Sequence, residues 1–366
     1  MIEKGKISAL QLGMMMYLVI APTAILNSPS ISFRYAKQDL WISPIWSLSG
    51  WMAIYLAFKL HDMYPGHNIV QASERIIGRW PGKAVGFLIL FIYLYINSGT
   101  TRLYGEFVSE AFLPETPLIV VTGTMVLVCA LASRGGVEIT GRFAQLILPV
   151  FIVLFLSNAL PIIPDLEPIN IFPVMPEGIM PSIAGSIVLQ SWYSQFITVS
   201  FLLPFVSDRE KAAKSVSIAL IAVIVTLVVA NLVTLLLLGE ITGHFTYPFL
   251  ILARYISLAE FFSHLESLYV AIWVFGAFMK IYLFFYVLVL AAAQWMNLSD
   301  YRPIVYPLGF ILIVFSHWIA NNLQELIHAL GTSITFTVLT VLLGVPLLLF
   351  CIALVKKRGH GTVSKN

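Results

Sequence analysis

Residues 7–33 read ISALQLGMMMYLVIAPTAILNSPSISF, an apolar run interrupted near its centre by Pro22, Asn27, Ser28 and Pro29. A spanning helix takes roughly 20 apolar residues, and a proline in its interior removes one backbone donor and crowds the preceding turn. The stretch predicts a membrane helix that is broken at mid-depth. The signature returns in a later apolar segment, Ile183 to Val206, which carries the polar run Gln190, Ser191, Trp192, Tyr193, Ser194, Gln195.

Segments of this kind fill the chain. Reading outward gives Ile7 to Phe33, Trp41 to Met63, Ala84 to Phe112, Leu118 to Ser133, Phe143 to Ile163, Ile183 to Val206, Ala212 to Leu238, Ser267 to Met296, Ile304 to Ala320 and Thr332 to Val355, about ten transmembrane helices. With 59% hydrophobic and 11% charged residues in 366, and a mean hydropathy of +0.91, there is too little polar surface for a soluble globule. The expected class is an all-α membrane protein with a single transmembrane domain over 1–366 and a tail at 356–366. Lys4 and Lys6 before an apolar run imitate a signal peptide, but no small-residue cleavage site follows, so the first span is read as retained.

Lys and Arg set the orientation, because cytoplasmic loops hold an excess of them. Placing both ends inside puts Lys4, Lys6, Lys59, Arg75, Arg79, Lys83, Arg134, Arg142, Arg209, Lys211, Lys214, Arg302, Lys356, Lys357, Arg358 and Lys365 on the cytoplasmic side. Arg34, Lys37 and Arg254 fall outside, together with most of the carboxylates, among them Glu110, Glu115, Asp165, Glu167, Glu177, Glu240, Glu260 and Glu325. The longest connections, Tyr64 to Lys83 and Gly239 to Glu266, sit at matching places in two halves, about 7–163 and about 183–355. Each half has five spans, so the second enters the membrane upside down relative to the first: a 5+5 inverted repeat with broken first and sixth helices. Such a repeat predicts a site between spans one and six.

A break at membrane depth leaves amides and carbonyls unpartnered, at several kcal/mol each unless protein, water or ligand satisfies them. A half-helix N-terminus attracts a carboxylate and the opposing carbonyls suit an ammonium, so a small zwitterion such as an amino acid matches both. The plainer alternative is that Pro22 and Pro29 only kink a structural helix. Along span three, Tyr93, Asn97, Thr101 and Tyr104 share one face, with Ser98, Arg102 and Glu106 on the adjoining stripe. Tyr93 and Asn97 are the deeper ligand candidates, while Arg102 and Glu106 suit a structural i,i+4 ion pair. Lys280 lies near the middle of span eight, where a charge must find a partner or a cavity. It serves either as a cation surrogate or proton site, or as an ammonium that locks the bundle.

Other chemistry finds no support. Cys129 and Cys351 fall inside apolar segments, as small hydrophobes do. The histidines, His264 and His328 among them, show no ligand spacing, so no metal is expected. No nucleophile elbow, P-loop or dinucleotide fingerprint is present, so neither an enzyme nor a cofactor is indicated. A formal charge of +3 implies no nucleic-acid partner.

The order of features resembles the amino acid, polyamine and organocation transporter superfamily, and more narrowly the B subunits of GerA-type spore germinant receptors. The resemblance covers nearly the whole chain. It rests on Pro22-Thr23-Ala24-Ile25-Leu26-Asn27-Ser28-Pro29, on Leu160-Pro161-Ile162-Ile163-Pro164-Asp165-Leu166 followed by Asn170-Ile171-Phe172-Pro173-Val174, on Leu203-Pro204-Phe205-Val206, and on Trp273 with Phe278-Met279-Lys280-Ile281. It implies a LeuT-like fold and recognition of a small germinant, often an amino acid, in the inner membrane of a spore. The partners implied are an A-type membrane subunit and a C-type lipoprotein subunit. Carried over, it places ligand-binding residues at Thr23, Ala24, Asn27 and Ser28, at Gln190, Trp192, Tyr193 and Gln195, and on the facing parts of spans three and eight. Two departures stand out: Pro22 and Ala24 replace the glycines usual at such a break, and Gln195 lies where family members often hold an acid. A germinant sensor and an autonomous proton-coupled amino acid transporter would use the same pocket.

Overall fold

The computed structural model describes residues 3, 5–255 and 265–363. Lys4, Glu260, His264 and Lys365 lie outside the described residues. Helix α1 (Ala9–Ala36) starts at a capping box, in which Ser8 Oγ accepts from the Gln11 amide at 3.1 Å and the Gln11 side chain accepts from the Ser8 amide at 2.8 Å. It then runs as one α-helix through both Pro22 and Pro29. The expected unwound break in the first span is thereby corrected: the prolines delete individual amide donors without opening the helix. Packing explains the tolerance. A Cβ on Gly276 would lie 2.0 Å from Pro22 Cβ, so only glycine lets the neighbouring helix press against the proline ring.

Behind α1 come α2 (Leu48–Met63), the amphipathic α3 (Ile69–Ile77), α4 (Arg79–Ala111), α5 (Leu118–Ser133) and α6 (Gly136–Ala159). The second half opens with α7 (Met180–Ser194), which tightens into a 3-10 turn over Gln195–Thr198 before α8 (Val199–Leu202) and a further 3-10 turn, Leu203–Phe205. The sixth segment therefore changes winding at Gln195 and does not unwind. It is followed by α9 (Arg209–Leu238), α10 (Pro248–Tyr255), α11 (Leu265–Trp295), α12 (Val305–Trp318), α13 (Leu323–Gly331), α14 (Ser333–Leu339), a π-helical turn at Thr340–Gly344, and α15 (Val345–Val363). No strand occurs among the described residues; one isolated bridge joins Ile7 to Val206.

Each expected span falls on helix, but the number ten is not reached by length and hydropathy. Among the described residues six helices qualify, or seven if α12 and α13, bent by 94° at their junction, count as one span. Helices α2, of 16 residues, and α7, of 15, are short of the roughly 20 that an untilted crossing needs. The core is set by two helices: the most apolar windows of α1 and α11 are 83% buried, against 33% for α6 and for the last span.

The helix ends gather at two faces. At one, the Ile7 amide donates to Phe205 O at 3.0 Å, Arg209 pairs with Asp62 at 2.5 Å and Lys356 reaches Ile76 O. The Glu3 carboxylate accepts there from Tyr286 at 2.8 Å and Tyr301 at 3.4 Å. Burial, and then the Glu3 charge, push Tyr301 up to about 12. At the other face, Asp39 accepts from the Met175 amide at 2.8 Å, and the Glu167 amide donates to Leu236 O at 3.0 Å. Glu325 there is held below the usual carboxylate range by hydrogen bonds from the Asn321 amide and side chain.

Candidate functional site

Near the centre of the bundle, α1, α4, α7, α11, α13 and α14 enclose a cavity of about 50 Å³. By the same measure a water needs about 10–15 Å³, so the space is closed to all but a few small molecules. Its polar wall consists of Thr23 and Asn27 from α1, Tyr95 and Thr100 from α4, Ser191 and Gln195 from the sixth segment, and Lys280 from α11. Leu103, Trp192, Leu330, Ile334 and Val338 line the apolar wall.

Lys280 is 3% exposed. Its Nζ donates to Thr23 Oγ1 at 3.3 Å and lies 5.7 Å from the centre of the Phe284 ring. Thr23 can accept because its own hydroxyl donates to Ile20 O at 3.2 Å. Two acceptors on the cavity wall, Asn27 Oδ1 and Gln195 Oε1, are buried without a hydrogen-bond partner. A buried polar atom left in this state costs roughly 1–3 kcal/mol. The cavity wall thus carries one cationic group and two unmet acceptors, and no carboxylate. Such a constellation suits a ligand that brings both an anion and hydrogen-bond donors. Among the described residues, no three His, Cys, Asp or Glu side chains come together as a metal site would require.

Helical pitch decides which of the expected ligand residues meet here. Thr23 and Asn27, four apart, share a face of α1, whereas Ala24 and Ser28 are turned about 100° away. Ser28 instead donates to Asn231 Oδ1 on α9 at 3.0 Å. Trp192 and Gln195 line the cavity, but Gln190 faces the turn before α2, where it accepts from the Ser49 amide at 3.0 Å and donates to Trp46 O. The Tyr193 hydroxyl donates to Pro44 O at 2.9 Å. On α4, Tyr93 bonds to Thr198 at 2.8 Å and Asn97 donates to Ile281 O at 3.2 Å, so neither reaches the cavity. Arg102 and Glu106 form an ion pair at 2.6 Å, and Arg102 also donates to Asn321 O at 3.4 Å.

Residues absent from the sequence reading include Ile96, Gly99, Thr100 and Leu103. They recur at three and four residues and form the stripe of α4 beside the one selected by its polarity. Leu330, Ile334 and Val338 come from the far end of the chain, and no local pattern links them to α1.

The helical bundle matches known proteins in sequence and in fold. Residues 6–325 match the family model described as spore germination protein. The chain belongs to the spore germination protein family. Among its relatives in the family is spore germination protein KB of Bacillus subtilis, strain 168, 26% identical over 97% of this chain and 96% of that one. Spore germination protein YndE of the same strain is 22% identical over 97% of this chain and 98% of its own. Among solved structures, MhsT in complex with L-phenylalanine superposes with a TM-score of 0.69 at 12% identity, covering 95% of this chain and 89% of MhsT. Mhp1, a nucleobase-cation-symport-1 family transporter in a closed conformation, gives 0.63 at 12% identity over 90% of this chain and 75% of its own. This spore germination protein thus has the LeuT-like transporter fold and is a multi-pass membrane protein.

Proposed function

We propose that this spore germination protein is the ligand-binding membrane subunit of a nutrient germinant receptor, and that its ligand is a small zwitterion, an amino acid, bound in the central cavity. The observation that carries this reading is the presence of Lys280 and two orphaned acceptors in the lining of one cavity. The ligand carboxylate takes the Lys280 ammonium, and the ligand ammonium donates to Asn27 Oδ1 and Gln195 Oε1. Both contacts satisfy groups that are otherwise buried at a cost. Side chains therefore supply the polarity expected of an unwound backbone. Thr23 orients Lys280, and Trp192 and Leu103 border the remainder of the ligand.

In this reading the two halves, about 7–163 and 183–355, form the inverted repeat, and both ends lie in the cytoplasm. The protein sits in the spore inner membrane with its A-type and C-type partners. Ligand binding shifts the balance between two conformations, which it can do only through different affinity for each. The likeness to MhsT favours a second reading, in which the chain alone moves an amino acid across the membrane.

Thermal unfolding of the purified protein against a panel of amino acids tests the cavity, since a ligand at about 100 times its Kd stabilises by roughly 2.7 kcal/mol. At least one amino acid is expected to raise the melting temperature of the wild type, and Lys280→Met is expected to lose that rise while inserting normally. An unchanged rise in Lys280→Met would overturn the site. Uptake of the same amino acid into liposomes holding the chain alone separates the readings: saturable accumulation means transport, and binding without accumulation means a sensor.

A further inference from the structure

Helix α1 is buried along almost its entire length, and apart from Arg34 and Tyr35 at one end it opens to the surroundings only at Leu10, Gln11 and Met14. At that window α6 and α9 flank α1 and leave a groove of about 610 Å³, with α1 as its floor. Along α9 the wall runs from Ser215 to Val229, about 21 Å at 1.5 Å per residue. That is longer than the roughly 15 Å of hydrocarbon in one leaflet. The two hydroxyls deep in the groove are already used: Tyr17 and Thr226 bond to each other at 2.9 Å, and Thr226 donates on to Ala222 O at 2.8 Å. The deep part therefore offers an occupant only hydrocarbon.

The Ser215 end is different. Lys211 and Lys214 stand exposed on the first turns of α9, and Gln11 donates to Gln145 at 3.0 Å, tying α1 to α6 at the same end. We propose that a phospholipid of the bilayer occupies this groove, one acyl chain lying along α1 between α6 and α9, with its phosphate held at Lys211 and Lys214. The charge sits where the headgroup of such a lipid comes to rest, and the apolar length beyond it accepts a whole chain. A helix from another protein is a poorer occupant, because the exposed Ile152, Ile218 and Val225 stand over the buried small residues Gly13 and Ala219 and keep a second backbone from close approach.

The test is photolabelling of the full chain in phosphatidylcholine vesicles that contain phosphatidylglycerol with a photoreactive group near the end of one acyl chain. Label mapped by peptide mass spectrometry is expected to concentrate on the Met14–Tyr17, Leu148–Leu156 and Ala222–Val229 segments. Val225→Trp, which fills the groove, is expected to remove it, and Ala222→Phe provides the same comparison if the larger residue prevents insertion. Lys211→Gln and Lys214→Gln are each expected to lower phosphatidylglycerol labelling roughly fivefold. Label spread evenly over lipid-facing positions such as Leu127, Leu146 and Phe310, or label unchanged by filling the groove in a folded protein, overturns the proposal. So does labelling that the lysine replacements leave untouched.

Discussion

The first and sixth membrane segments carry similar warnings in sequence and answer them in opposite ways. Helix α1 contains two prolines and never leaves α geometry, whereas the sixth segment tightens at Gln195, ahead of Pro204. An interior proline costs about 3 kcal/mol relative to alanine in an isolated helix. In α1 neighbours absorb that disturbance: Gly276 accommodates the Pro22 ring, Ser28 bonds to Asn231, and Ser32 donates to Gly185 O at 3.1 Å. In the sixth segment, the 3-10 turn brings poorer hydrogen-bond geometry, and the side chain at its first residue, Gln195, keeps an unmet acceptor facing the cavity. A proline reports a missing donor; whether the helix opens there depends on what packs around it.

The contrast can be broken most severely at Gly276. Gly276→Leu places a side chain where even a Cβ would lie 2.0 Å from Pro22, and overpacking of a core commonly costs 1–3 kcal/mol, more where backbone must move. Loss of the monodisperse folded species on gel filtration is expected; a variant that melts like the wild type would show that α1 and α11 do not press together here. Gln195→Leu comes next and acts on binding. It removes an orphaned acceptor, so the unliganded protein is expected to melt at the same temperature or higher, while amino acid affinity measured by calorimetry falls about tenfold.

Ser28→Ala sharpens the other side of the comparison. It deprives Asn231 of its donor and is expected to cost roughly 1 kcal/mol of stability with unchanged ligand affinity. A change in affinity with stability intact would move Ser28 from the scaffold into the site. The smallest effect is expected from Pro29→Ala, which restores an amide to a helix already continuous and shifts stability by less than about 1 kcal/mol in either direction. A large gain in thermal stability would mean that the proline strains α1 after all.

The helical membrane class was legible because spanning helices need long apolar runs, and Leu118 to Ser133 coincides with α5 to the residue. Thr23, Asn27 and Gln195 were legible as polar residues at membrane depth, and Lys280 as a charge with nowhere to go. The facing of Gln190 and Tyr193 was not, because a polar run names every residue in it while a helix turns only some inward. Nor was the count of spans. Short helices such as α2 depend on 3-10 turns on their flank, Lys37–Trp41 and Ser43–Ile45, and these read as apolar sequence like any other. The α13–α14 wall was hidden for another reason: it meets α4 and α7 only after the chain has folded back on itself.

Burial of α1 also has a consequence for the order in which the protein is made. This helix packs against α7, α9 and α11, all of which are synthesised much later. Until they arrive, Ser28 and Ser32 lack Asn231 and Gly185, the partners that the finished bundle supplies. The nascent chain thus passes through a stage in which a helix destined for the core is not yet covered by it.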